Sequence, residues 1–202
     1  MESKVVYFEG MDPANTEIVF KLAQERATAL GIKKIVLAST TGATARKAMD
    51  FFKHDGIQLI VVPHQWDFHR PVNPFPQELA TTLRESGHEV HFGTMLFHTD
   101  NLYGSSVPTL MANLLRCFSQ GFKVCFEIVM MVTDAGLLKS QESVIAIAGT
   151  GRGSDTALVM QAASSQHFNK IRVNEILCKP LKPLTIEEVH ERMAQEKSGS
   201  PA

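Results

Sequence analysis

Short β-branched runs alternate along this chain with stretches of helical spacing, and that alternation leaves few folds open. Runs at 5–8, 35–39, 59–62, 90–92, 144–148 and 173–177 read as strands. Those at 35–39, 59–62 and 144–148 lack polar alternation, so both faces are expected to be buried, as in a parallel sheet. Asp12-Pro13 opens a helix in which Ile18, Leu22, Ala23, Ala27 and Leu30 recur at helical spacing before Gly31. Further helices are expected at 43–53, at 77–85, at 108–136 with a kink at Gly121, and at 156–163. The capping box Thr185-x-x-Glu188 starts a last one, ending near residue 195. Strands alternating with helices make βαβ units. They predict an α/β fold with a mostly parallel sheet of about five or six strands and helices on both faces. Residues 1–197 read as one domain and 198–202 as a frayed tail.

Composition narrows the function classes. With 20 Lys and Arg against 21 Asp and Glu, the net charge of −1 argues against binding nucleic acid through counterion release. No apolar run approaches the roughly 18 residues of a membrane span, and the N-terminus lacks a signal-peptide core. Cys117, Cys125 and Cys178 form no CxxC and read as reduced thiols of a cytoplasmic protein. A homo-oligomer is left open.

Two segments concentrate ligand-binding chemistry. Ser39-Thr40-Thr41-Gly42-Ala43-Thr44-Ala45 ends a buried strand and opens a helix. Unbonded N–H groups at a helix start, its positive dipole end and clustered hydroxyls suit an anion. An aspartate in place of Gly42 is expected to block that anion and leave the fold intact. The second segment, Gly149-Thr150-Gly151-Arg152-Gly153-Ser154-Asp155-Thr156, also follows a buried strand and is expected to precede a helix. Its spacing is neither a Rossmann fingerprint nor a Walker loop. Arg152 offers a charge-assisted contact to phosphate, and Asp155 reads either as a helix N-cap or as an acceptor for ligand hydroxyls. Loops at the carboxyl ends of parallel strands are where ligands bind in open α/β sheets.

Other residues carry less. His64 follows a strand at its carboxyl end and is the leading candidate acid or base. His64 and His69 flank Trp66 and Asp67, His88 and His91 bracket a strand, and His98 precedes Asp100, but none of these has a metal-site spacing. No metal is expected. Lys123 and Glu127, four apart, read as an ion pair on a helix surface.

The segments TTGATA (40–45) and GTGRGSDT (149–156) resemble the C-terminal α/β domain of pyruvate kinase, where the corresponding turns hold the phosphates of an allosteric sugar bisphosphate. The chain is more similar still to stand-alone archaeal and bacterial proteins of that fold. The likeness runs through residues 6–8, Asn15-Thr16-Glu17, ASTTGATA (38–45), 62–64 with Phe68, SQGFKVCFEIVMMVTDAGLL (119–138), AIAGTGRGSDTALV (146–159) and 174–180. The resemblance implies a three-layer αβα sandwich and a binding domain for a phosphorylated small molecule. FMN is the leading candidate, and phosphate or a sugar phosphate the others. On that reading 40–45 hold the phosphate, 149–155 meet ribityl hydroxyls or the ring edge, and Trp66 or Phe68 covers the ring by stacking. The alternatives are a flavin oxidoreductase or sugar-phosphate converter using His64, and a module sensing a phosphorylated metabolite. Gln65 stands where such relatives carry a second histidine, and 93–107 replaces their His- and Gly-rich loop. Pyruvate kinase catalysis is not implied, because its barrel alone needs about 250 residues.

Overall fold

The computed structural model describes residues 4–68, 71–99 and 106–198. His69, Asp100 and residues 199–202 of the expected tail lie outside the described residues. The strands are β1 (Val6–Phe8), β2 (Lys34–Ala38), β3 (Gln58–Val62), β4 (Glu89–Val90), β5 (Ser143–Ala148), β6 (Thr156–Gln161) and β7 (Arg172–Pro180). The helices are α1 (Asn15–Leu30), α2 (Ala43–Phe51), α3 (Gln77–Glu85), α4 (Val107–Arg116), α5 (Gln120–Asp134) and α6 (Ile186–Ser198). None of the described helices is long and apolar enough to cross a membrane.

One seven-stranded sheet runs in the order β1-β7-β6-β5-β2-β3-β4. Its pairings are parallel except those of β6, which is antiparallel to both β5 and β7. Side chains alternate across each strand. Ile35, Leu37, Leu59, Val61, Ile145 and Ile147 face a core with Phe20, Ala48 and Leu83 from α1, α2 and α3. Val36, Ile60, Val62, Ala146 and Leu158 face the opposite core, with Cys125, Ile128, Val129 and Val132 of α5. This is the three-layer α/β arrangement, with more strands than expected.

Two elements differ from the sequence reading. Residues 156–163 are not a helix: β6 pairs Thr156 with Ala148 and Gln161 with Ser143. Thr156, Ala157, Leu158, Val159 and Met160 are all buried, so the run has no exposed face whose period separates strand from helix. The glycine-rich segment is therefore a hairpin loop, closed by Asp155 N–H donating to the Ala148 carbonyl at 3.1 Å. The second difference is in 108–136, which is two helices rather than one kinked at Gly121. The break is at Ser119, whose Oγ accepts from Phe122 N–H at 2.9 Å and caps α5. Gly121 lies inside α5, where a Cβ would collide with the Thr156 hydroxyl. Its role is close approach of α5 to β6. The Thr185–Glu188 capping box forms as expected, with both reciprocal hydrogen bonds.

The three cysteines are free. Cys117 is exposed; burial pushes the Cys125 thiol well up and the Cys178 thiol up to about 12. Both buried thiols are thus inert packing groups.

Candidate functional site

The chain passes outward from β2 through β3 to β4, then returns to β5 on the other side of β2. The strand order reverses between β2 and β5, and a crevice opens there beyond their carboxyl ends. It is a cleft of about 910 Å³. Ser39, Thr40, Thr41, Ala43 and Thr44 line one wall, and 149–153 line the adjoining one. His64 and Phe68, beyond β3, extend it, so the two glycine- and threonine-rich segments and the histidine do meet.

The first wall is the start of α2. Gly42 is its N-cap at φ 83°, a left-handed conformation that favours glycine. A Cβ there would lie 2.6 Å from Leu79 Cδ2 of α3. Gly42 thus packs against α3, and an aspartate there would have to displace Leu79, so the variant is now expected to strain the fold rather than spare it. The first-turn N–H groups divide. Ala45 N–H donates to Ser39 Oγ at 3.2 Å, and Ala45 is fully buried in the core and does not line the cleft. Ala43 and Thr44 N–H have no intrahelical acceptor and none among the other described residues. Thr40 Oγ1 lies 3.2 Å from His64 Nε2, which ties this wall to the loop after β3.

The second wall is held by its own bonds. Asp155 caps no helix. Its carboxylate accepts from Thr150 N–H at 3.0 Å and from the Thr156 hydroxyl at 2.7 Å. Burial pushes the Asp155 carboxyl up, against those hydrogen bonds. The Thr156 hydroxyl also meets Ser119 Oγ at 3.2 Å, beneath the loop. Ser154 N–H donates to Thr16 Oγ1 of α1 at 2.9 Å, and a Cβ on Gly153 would strike that same oxygen. Gly149 is likewise crowded by the Gly153 carbonyl. These glycines are set by closure of the loop and its docking on α1. Asp155 and Thr156 are turned inward and do not line the cleft. Thr150 does, and its buried Oγ1 has no partner among the described residues.

Trp66 is not in the cleft. It is 52% exposed and packs against Phe92, with ring centroids 5.6 Å apart. Phe68 is, standing edge-on between His64 and His98 at 5.1 Å from each.

Sequence reasoning missed much of the remaining lining. Lys47 is one turn beyond Ala43 on α2, so the i, i+4 rule was enough to find it. Arg116 closes α4, and His190 comes from α6. Lys123 and Glu127 form the expected pair, at 2.6 Å, but not on a surface: their side chains are 1% and 2% exposed at the cleft floor. Glu127 also accepts from Phe97 N–H at 2.9 Å and lies 3.3 Å from His98 Nδ1. Burial pushes its carboxyl up, but the His98 hydrogen bond and the charge and hydrogen bond of Lys123 outweigh that and hold it at about 2. Burial lowers the Lys123 pKa against the pull of Glu127. Among the described residues that line the cleft, Lys47, Arg116, Lys123 and Arg152 face a single carboxylate, Glu127.

This carboxylate makes stability depend on acid. A folded pKa depressed below the unfolded value, about 4.3, contributes stability that is complete above that value and fades as pH falls toward 2. The contribution is on the order of 3 kcal/mol. Urea unfolding at pH 7, 4.5 and 2.5 is expected to show loss concentrated below pH 4.5, with a shallower loss in Glu127→Gln.

The family model described as "Pyruvate kinase, alpha/beta domain" matches residues 17–160, more than half of the chain. Among solved structures, the chain is similar to a pyruvate kinase from Cryptosporidium parvum at 14% identity and a TM-score of 0.41, over 77% of this chain and 24% of that one. A second structure, described as Cryptosporidium parvum pyruvate kinase in complex with ADP, matches at 16% identity and a TM-score of 0.40, over 77% of this chain and 25% of that one. The chain therefore spans about a quarter of the length of these kinases.

Proposed function

Because the chain belongs to the pyruvate kinase α/β-domain family, we propose that its cleft binds a phosphorylated small molecule, with FMN the leading candidate. The observation that carries this reading is the cleft's charge. Four cationic side chains, one of them paired with Glu127, and the unbonded N–H groups of Ala43 and Thr44 gather at the strand-order switch of a chain whose net charge is only −1. A phosphate at the start of α2 would take those N–H groups, the hydroxyls of Thr40, Thr41 and Thr44, and the charge of Lys47. Each charge-assisted hydrogen bond is worth about 1.5–3 kcal/mol. Arg152 and Thr150 on the opposite wall would meet the next oxygens of the ligand.

The fit to FMN rests on volume and lining. The cleft is at the upper end of the roughly 300–1,000 Å³ range of small-molecule sites. Beyond the polar walls, Phe68, Met95, Ile128, Met131 and Val189 offer an apolar bed for a ring. Phe68, rather than Trp66, is placed to touch it. Bound FMN would supply one- and two-electron redox chemistry, while this chain's residues would hold the phosphate and keep water from the ring.

The test is a titration with FMN, followed by fluorescence quenching, of wild type against Ala43→Asp. Ala43 is exposed at the first position of α2, so a carboxylate there is compatible with the helix dipole and leaves the fold intact. It sits where the phosphate would. Binding is expected to weaken at least about a hundredfold, given the loss of more than one charged contact. Equal affinity in the two proteins places the phosphate elsewhere. Absence of binding by wild type to FMN, inorganic phosphate and sugar phosphates at millimolar concentration ends the reading.

A further inference from the structure

We propose that His98, oriented by the buried carboxylate of Glu127, is a proton-transfer residue of the cleft, acting on a phosphorylated hydroxycarbonyl compound whose phosphate lies at the start of α2. The proposal rests on the phosphate reading of the cleft, not on FMN in particular. Its geometry is that of an imidazole fixed from behind. Glu127 already accepts from Phe97 N–H and from Lys123 Nζ, and as a carboxylate it can only accept. His98 Nδ1, 3.3 Å from its Oε1, must therefore be the donor. That leaves the hydrogen-free lone pair of the neutral ring on Nε2. The His98 side chain is 28% exposed and lines the cleft, whereas Glu127 behind it is sealed from solvent. A long hydrogen bond of this kind is usual before a substrate is in place.

His64 is less suited to the role. Its Nε2 lies 3.2 Å from Thr40 Oγ1, at the phosphate end, and it stands on the far side of Phe68 from His98. A chain of carbons leaving the phosphate would run over Phe68 toward His98.

The reaction closes on one substrate. His98 Nε2 takes the proton from the carbon beside the carbonyl. The electron pair of that C–H bond becomes the carbon–carbon double bond of an enediolate, and the carbonyl oxygen takes the negative charge. The imidazolium gives the proton to the former carbonyl carbon, while the proton of the adjacent hydroxyl passes to the oxygen anion, so that the first carbonyl becomes a hydroxyl and the neighbouring carbon the new carbonyl, which gives the isomeric hydroxycarbonyl compound. No oxidant, reductant or second reactant is needed. Glu127 balances the charge on His98, and Arg116, which also lines the cleft, opposes the charge on oxygen. Glu127 is a positioning residue, because it acts through His98.

The experiment uses ribose 5-phosphate and fructose 6-phosphate as probes in deuterated water, with proton NMR following loss of the signal beside the carbonyl. Wild type is expected to catalyse exchange. His98→Gln, at a partly exposed position that tolerates the change, is expected to slow it at least a hundredfold while binding the same compounds within threefold of wild type. For Glu127, nitrogen NMR of His98 is expected to show the Nδ1-protonated tautomer in wild type and a loss of that preference in Glu127→Gln. Among the described residues, Glu127 of α5 is in contact with His98, Lys123 of α5 and Arg116 of α4 act on Glu127, and His64 shares the Phe68 ring with His98. Binding of the probes without exchange, exchange undiminished in His98→Gln, or the opposite tautomer overturns the proposal and leaves the phosphate reading standing. Absence of binding by the probes and by inorganic phosphate overturns both.

Discussion

Lys123→Met is expected to lower the stability of the fold by about 3–5 kcal/mol, the usual cost of removing one partner of a buried ion pair. Methionine fills much of the lysine's space, so packing is not the main loss. What changes is Glu127, which keeps Phe97 N–H and His98 as donors but loses the cation 2.6 Å away while remaining 2% exposed. The double variant Lys123→Met with Glu127→Gln separates charge from volume. A neutral amide oxygen can still accept from Phe97 N–H, and no ion is left unpaired, so most of the lost stability should return. Urea midpoints at pH 7 measure all three proteins. A Lys123→Met protein as stable as wild type would mean that the pair is not sealed at the cleft floor. The result has a functional edge, because the same carboxylate orients His98.

The second large effect is at Gly42, where aspartate is expected to cost roughly 3 kcal/mol or more in stability. Three causes add. The backbone at φ 83° disfavours a side chain, a Cβ lies 2.6 Å from Leu79 Cδ2, and the carboxylate would start in a buried setting. Ala43→Asp, one residue along the chain, should keep wild-type stability within about 0.5 kcal/mol because its side chain faces water. Thermal melts followed by circular dichroism distinguish the two. If Gly42→Asp melts with wild type, α3 does not pack against the start of α2 as described. The pair also separates loss of ligand from loss of fold, since only Ala43→Asp is expected to lose the first and keep the second.

Much of the fold was legible from local pattern. Runs of Ile, Val and Leu without polar alternation marked β2, β3 and β5 as buried strands. Gly31 and the Thr185–Glu188 box marked helix ends because capping is chemistry between residues a few positions apart. The two glycine- and threonine-rich segments were legible for a similar reason: a loop between a buried strand and its return must lie at the strand's carboxyl end, and both line the cleft. The Gly149–Asp155 loop was rightly placed but wrongly continued, since a run buried on every side carries no period.

The sequence by itself determined most of the strands of a largely parallel sheet, where α1 would end and α6 begin, and that hydroxyls and N–H groups would meet at one edge. Each follows from interactions within a few residues or from the count of apolar faces. Only the tertiary structure decided that β6 runs against its neighbours, because strand direction depends on partners distant in the chain. It also decided that Lys123 and Glu127 are buried: i, i+4 spacing sets their contact, but whether water reaches them depends on what packs above α5. Trp66 and Phe68 are two residues apart, and only the folded loop turned one onto Phe92 outside and the other between two histidines in the cleft. The same holds at Gly42, where the absence of a side chain leaves room for Leu79 of α3, since the space beside a Cα belongs to whatever the fold brings there.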